Sequence, residues 1–229
     1  MASTRQDAEA QARDPGHPFP SLTDERYDEM KRSYWDHLAP LYNRIMRKDA
    51  RAYDELYALI RASIEELRVL EVATGTGLIA RHVADASRVM IATDYSQQML
   101  AQARKDPCPA RLTYQTADAA QLPFPDGSFD AVIISNALHI MSDPDQVLRE
   151  IRRVLTGDGL LIAPTFVQGP MNLIQQFFYA ILAHFTSYSW TQATYVAFLQ
   201  QRGWEIVTNK TVAASFPLAY LECRPGRRC

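Results

Sequence analysis

Between residues 67 and 166, short apolar runs alternate with helical patterns, and this alternation restricts the chain to few folds. Residues 67–73, 89–93, 112–116, 129–135 and 160–166 read as β-type runs. Residues 78–86, 97–104 and 143–155 read as helices between them. Strand–helix–strand units of this length predict parallel strands joined by crossovers, which is an α/β architecture. Gly157 and Gly159 follow the last of these helices, where a C-terminal cap is expected. Residues 204–210 and 215–224 form two further β-type runs with too little chain between them for a crossover. They are expected to be an antiparallel hairpin on the sheet edge.

The turn after the first run, in "VLEVATGTGLIARHV" (69–83), has glycines where a strand passes into a helix. Gly75-x-Gly77-x-x-Ala80 fits the dinucleotide-binding spacing, in which backbone N–H groups approach a nucleotide. A tight turn without any ligand would read the same way. Asp94 follows the next run, where a carboxylate accepts hydrogen bonds from ribose hydroxyls. That ribose is common to NAD and to S-adenosylmethionine (SAM), so Asp94 supports nucleotide binding without choosing between hydride and methyl transfer. A short-chain dehydrogenase needs a Tyr-x-x-x-Lys pair downstream of its glycine turn, but the pair here, Tyr27 and Lys31, lies upstream.

Four consecutive segments resemble the class I SAM-dependent methyltransferases, in particular the group similar to the quinone-biosynthesis C-methyltransferases. "VLEVATGTG" matches the first motif, "ATDYSQQMLAQA" the second strand and its helix, and "TADAAQLPFPDGSFDAVIISNALHIM" the adenine-side segment and fourth strand. "QVLREIRRVLTGDGLLIAPTF" matches the helix and strand that follow. The resemblance runs from about residue 67 to residue 166. It implies a Rossmann-like fold with a seven-stranded, mostly parallel sheet, an antiparallel C-terminal hairpin and helices on both faces. It also implies SAM as cofactor and methyl transfer by in-line displacement; the apolar wall of residues 174–185 favours a small apolar or aromatic acceptor, and no residue spacing calls for a metal.

By the same resemblance, Glu71 would take the methionine ammonium, with a salt bridge at the surface as the alternative. Gly75 and Gly77 would let the chain pass close to the cofactor, Asp94 would hold the ribose, and Ala73, Thr74, Tyr95 and Met99 are further cofactor-binding candidates. Asp118 and Ala119 would frame adenine, with capping of the local turn as the alternative role for Asp118, and Asn136 would line the methionine side. The family's first motif glycine is replaced here by Ala73. Alanine is expected to fit there in ordinary strand dihedrals, with some loss of SAM affinity. That departure keeps open a catalytically silent SAM-binding module; an NAD(P)-dependent oxidoreductase is the further alternative.

His139 in "NALHIM" is the candidate general base, or else a helix-start histidine that packs without moving a proton. His37 and His184 are more readily structural. Tyr34, Trp35 and Tyr42 belong to the N-terminal region that folds over the cofactor in this family, and an aromatic face near a sulfonium gives a cation–π contact. Plain core packing is the competing reading. Residues 167–190 read as an insertion over the acceptor, with Ile174, Phe177, Phe178, Ile181, Leu182 and Phe185 at helical spacing. Phe177, Phe178 and Ile181 are the candidate acceptor contacts beside His139, against the alternative of a helix docked on the sheet.

The organisation expected is a disordered extension over 1–20 and one methyltransferase domain over 21–229. That domain divides into a helical lid at 21–66, the SAM-binding core at 67–166, the insertion at 167–190, and a last helix with the hairpin at 191–229. A formal net charge of −2 and a pI near 6.2 offer no long-range attraction for nucleic acid. Cys108, Cys223 and Cys229 cannot make an even disulfide framework and have no zinc-type spacing. The opening residues lack a signal-peptide apolar core, and the apolar run 177–185 is too short to span a bilayer. A cytoplasmic monomer or homodimer is expected.

Overall fold

The computed structural model describes residues 49–168, 190–215 and 217–226. The expected disordered extension, most of the N-terminal lid and the insertion, with Tyr34, Trp35, Tyr42, Phe177, Phe178 and Ile181, lie outside the described residues.

Helix α1 spans Ala50–Ser63 and precedes strand β1, Arg68–Val72. There follow α2 (Leu78–Val83, continued by a 3-10 turn over Ala84–Ala86), β2 (Val89–Asp94), α3 (Gln97–Ala103), β3 (Leu112–Thr116) and β4 (Phe129–Ile134). Helix α4 (Pro144–Val154) leads into β5 (Leu155–Ile162) and β6 (Thr165–Phe166). Helix α5 (Gln192–Gln201) and strands β7 (Trp204–Val212) and β8 (Leu218–Pro225) complete the order.

The sheet order is β3-β2-β1-β4-β5-β8-β6, with β7 on the far side of β8. Strands β1 to β5 pair in parallel, and β8 runs antiparallel to β5, β6 and β7. The expected run 160–166 is therefore split after Ile162. Pro164, which has no N–H for a ladder, lies between the two pieces. Since β5 and β6 both pair with the same side of β8, the eight strands occupy seven positions across the sheet.

Strand residues alternate between two cores. Leu70, Val72, Val132 and Ile134 face α4 and α5, whereas Val69, Ala131 and Ile133 face α1 and α2. Both faces of the parallel region are covered, as its near-continuous apolar strands require.

The expectation for Gly157 and Gly159 is corrected. Helix α4 ends at Val154, and Leu155 is already extended, at φ −74° and ψ 145°. Neither glycine is left-handed; both lie within β5, where the register against β4 slips between Phe129 and Ala131. At Gly159 a Cβ would stand 3.0 Å from the Thr156 carbonyl oxygen and 2.8 Å from Leu155 Cδ2, so close packing rather than capping favours glycine there. Arg153 at the end of α4 ties down the PFPDGSFD turn. It donates to the carbonyls of Leu122 and Phe124, at 2.9 and 2.7 Å, and to Asp126 and Glu150.

Candidate active site

The strands β3, β2, β1 and β4 end on one edge of the sheet, and the turns that leave them enclose a cavity of about 340 Å³. This is where ligands of open parallel sheets collect. Of the residues expected in the cofactor site, Glu71, Ala73, Thr74, Gly75, Asp94, Tyr95, Met99, Asp118, Ala119 and Asn136 line it.

At the end of β1 the chain makes a tight turn. Thr74 N–H donates to the Thr93 carbonyl at 2.9 Å, and Gly77 N–H to the Thr74 carbonyl at 3.0 Å. Gly75 and Gly77 take φ values of 58° and 70°. A Cβ on Gly75 would meet nothing within 4 Å, so this part of the cavity wall is bare backbone. Gly77 does not line the cavity and answers a different need: a Cβ there would stand 2.9 Å from Cε1 and Cζ of the Tyr114 ring. Ala73 is left-handed as well, at φ 55°. The expectation that alanine fits here in strand dihedrals is therefore overturned. An L-residue is strained in this region by about 1–2 kcal/mol, which gives a physical reason for the family's glycine.

Asp94 at the tip of β2 holds this turn. Its Oδ2 accepts from Gly75 N–H at 2.7 Å and its Oδ1 from Ser96 N–H at 2.9 Å. Ser96 caps α3, accepting from Met99 N–H at 3.1 Å. Tyr95 is 48% exposed and presents its ring at the rim. Past β3, Asp118 Oδ1 accepts from Ala120 N–H at 2.8 Å. The capping role weighed for Asp118 is thus present, on a residue that also lines the cavity.

Glu71 is 2% exposed. Thr74 Oγ1 donates to its Oε2 at 2.7 Å, and among the described residues Glu71 makes no salt bridge of the kind weighed as an alternative. Burial pushes its carboxyl up to about 8, with Thr74 and a backbone contact at Ala80 opposing and Asp94 adding a smaller push upward. Asn136, past β4, is left-handed at φ 50° and uses its side chain there: its Oδ1 accepts from Phe166 N–H at 2.9 Å.

His139 lies in a 3-10 turn over Leu138–Ile140, beside the cavity rather than on its wall. Its Nδ1 is 3.4 Å from Thr165 Oγ1, and its ring meets Trp190 edge-on at 6.3 Å. Trp190 stacks on Tyr195 at 4.6 Å. The Trp190 carbonyl accepts from Gln168 N–H at 2.8 Å, which brings together the two chain ends that flank 169–189.

Sequence reasoning missed several lining residues, among them Tyr53, Met141 and Val147. Their apolar helical or turn settings read as plain core. Tyr53 is 4% exposed on α1, in a ring series with Tyr57 at 5.9 Å and, beyond it, His82 stacked on Tyr57 at 4.4 Å. Among the described residues no group of His, Cys, Asp and Glu could hold a metal, and no helix is long and apolar enough to cross a membrane.

A family model described as a methyltransferase domain matches residues 70–163. The ubiquinone/menaquinone biosynthesis C-methyltransferase UbiE of Geotalea uraniireducens (strain Rf4) is 29% identical over 158 residues, covering 63% of this chain and 66% of that protein. A demethylmenaquinone methyltransferase of Renibacterium salmoninarum is 34% identical over 161 residues, covering 66% of this chain and 65% of that protein. The chain thus spans just under two thirds of the length of these curated relatives. The structure of Burkholderia thailandensis 1,6-didemethyltoxoflavin-N1-methyltransferase, with bound 1,6-didemethyltoxoflavin and S-adenosylhomocysteine, shares the fold. It gives a TM-score of 0.72 over 91% of this chain and 92% of that one, at 16% identity. The strand order agrees with the fold that this neighbour shares, and residues 70–163 carry the segment that is similar to a methyltransferase domain.

Proposed function

We propose that this protein transfers a methyl group from SAM to a small, largely apolar acceptor, using the cavity at the carboxyl edge of β3, β2, β1 and β4. The observation that carries this reading is the bare backbone at Gly75, whose N–H donates to the Asp94 carboxylate in a cavity that the buried Glu71 also lines. The cavity fits the cofactor: it has a glycine wall that a nucleoside can approach, carboxylates at both ends and an aromatic ring at the rim. When bound, SAM supplies a methyl group already activated on a sulfonium.

The chain's own contribution is placement. Asp94 hydrogen-bonds the ribose, Tyr95 and Met99 flank it, and Asp118 with Ala119 frames adenine. Glu71 and Asn136 face the methionine end, where Ala73 and Thr74 set the path of the backbone and Gly77 lets Tyr114 pack beneath the turn. Orientation of two reactants in a site closed to water removes roughly 7–11 kcal/mol of barrier, so alignment alone can carry most of this reaction. A base is needed only where the acceptor holds its proton tightly. His139 and the neighbouring Thr165 hydroxyl are the candidates for that role. Tyr34, Tyr42, Phe177, Phe178 and Ile181 complete the proposed cofactor and acceptor contacts.

The names of the curated relatives support placing quinol-type aromatic rings first among acceptors. A silent SAM-binding module is the second reading, motivated by the strained Ala73. Incubation with methyl-labelled SAM and a panel of quinols, phenols, thiols and amines tests the proposal, with label expected on an apolar ring compound. Tight SAM binding without transfer across the panel would favour the silent module. His139→Ala is expected to slow turnover of protonated acceptors more than of thiolates, and equal losses would leave His139 only a shaping role.

A further inference from the structure

The cavity's charged wall has one sign. Among the described lining residues, Glu71, Asp94, Asp118 and Asp143 are acidic, and no Lys, Arg or His accompanies them. Glu71 is set apart from the other three by its burial at the end of the central strand.

The groups that face Glu71 can be named for each neighbouring element. From β2 comes the Asp94 carboxylate, from β3 the Tyr114 hydroxyl, and from α2 the backbone at Ala80. Its register neighbours, Ala92 on β2 and Ile133 on β4, carry no charge. The Thr74 hydroxyl comes from the turn itself. Burial pushes Tyr114 up to about 12, so it brings no charge, and Asp94 repels a second negative group. Arg81 of α2 acts on Tyr114 and pairs with Asp106, so among the described residues an ionised Glu71 has hydrogen-bond donors but no counter-ion, within a setting where an unpaired charge is costly.

We infer that Glu71 is a proton-linked gate for the cofactor: it stands protonated in the free cavity and ionises when the cofactor's α-ammonium arrives beside it. The carboxylic O–H bond breaks, its proton leaves through the open cavity to the buffer, and the ammonium keeps its own protons and supplies the missing counter-charge. This rests on the cofactor reading proposed above. The direction of the Glu71 shift, upward to about 8, sets the pH range in which the exchange is visible.

The test is calorimetry of the full chain with SAM and with its demethylated product, in two buffers of different ionisation enthalpy. At about pH 6.5 a free α-ammonium, whose ordinary pKa is about 7.7–8.0, is still charged. Close to one proton should be released per ligand bound, and affinity should rise roughly tenfold per pH unit between about pH 6 and 7. Both ligands keep the ammonium, so both should release the proton. In Glu71→Gln the release and the pH dependence should vanish. Binding whose heat is the same in both buffers would overturn the proton linkage and leave the cofactor reading standing. Release by SAM alone would overturn the assignment to the ammonium. No binding of either ligand would overturn both readings. If Glu71→Gln does not fold, the two-buffer measurement on the wild-type chain decides alone.

Discussion

The two ends of the cavity treat their carboxylates in opposite ways. Past β2 and β3, Asp94 accepts two backbone N–H bonds and the exposed Asp118 accepts one, in turns without strain at either residue. Past β1 and β4, Glu71 is closed into the sheet, and the chain beside it bends into left-handed conformations at Ala73 and Asn136. Desolvation and backbone strain are thus concentrated at the end proposed for the charged tail of the cofactor. The nucleoside end is held by ordinary turn chemistry, and ligand binding has less to rearrange there.

The largest effect that could break this contrast is the pH dependence of the ligand-free protein. Glu71 has its folded pKa raised, so the native state binds more protons than the unfolded chain between the ordinary glutamate range near 4.5 and about 8. Its contribution to stability is full below that window and is lost as pH rises through it, by up to about 1.4 kcal/mol per pH unit. Urea unfolding of Glu71→Gln, compared with wild type across this range, should remove that part of the slope; parallel curves would mean that Glu71 is as relaxed as Asp94.

Next comes Asn136→Ala, expected to cost about 2–3 kcal/mol, because it removes the side-chain oxygen that accepts from Phe166 N–H and puts alanine at a left-handed position. Denaturant midpoints measure this directly. At the relaxed end, Asp94→Ala is expected to weaken SAM binding by about 1.5–3 kcal/mol, the range for hydrogen bonds to a charged group. An unchanged dissociation constant would remove Asp94 from the site. The smallest effect is a gain: Ala73→Gly should stabilise the fold by about 1 kcal/mol, since glycine takes φ 55° freely. A loss of stability would show that Ala73 is not strained.

The strands and helices of the sheet were legible because their apolar residues repeat at the spacing that each element buries. Val69 and Leu70 enter opposite cores, as alternation requires. The carboxylates at the strand tips were legible through spacing from the glycine turn. Three things were hidden. The dihedral angle of Ala73 depends on the turn closed by Asp94, which lies 21 residues away. Gly157 and Gly159 look like caps by position, yet the helix passes straight into β5 and the ladder absorbs them. Tyr53 reads as core because it is core on all but one side; only the packing of α1 against α2 turns that side toward the cavity.

Strand β8 lies between β5 and β7, so the last described strand to leave the ribosome fills an inner slot of the sheet. Until residues 218–225 emerge, the outer side of β5 is an open edge with unpaired backbone groups, and β6 and β7 have nothing to pair with. A nascent chain halted before this point would therefore carry a complete glycine turn on an unclosed sheet. Such an intermediate invites edge-to-edge association and is a natural client for chaperones.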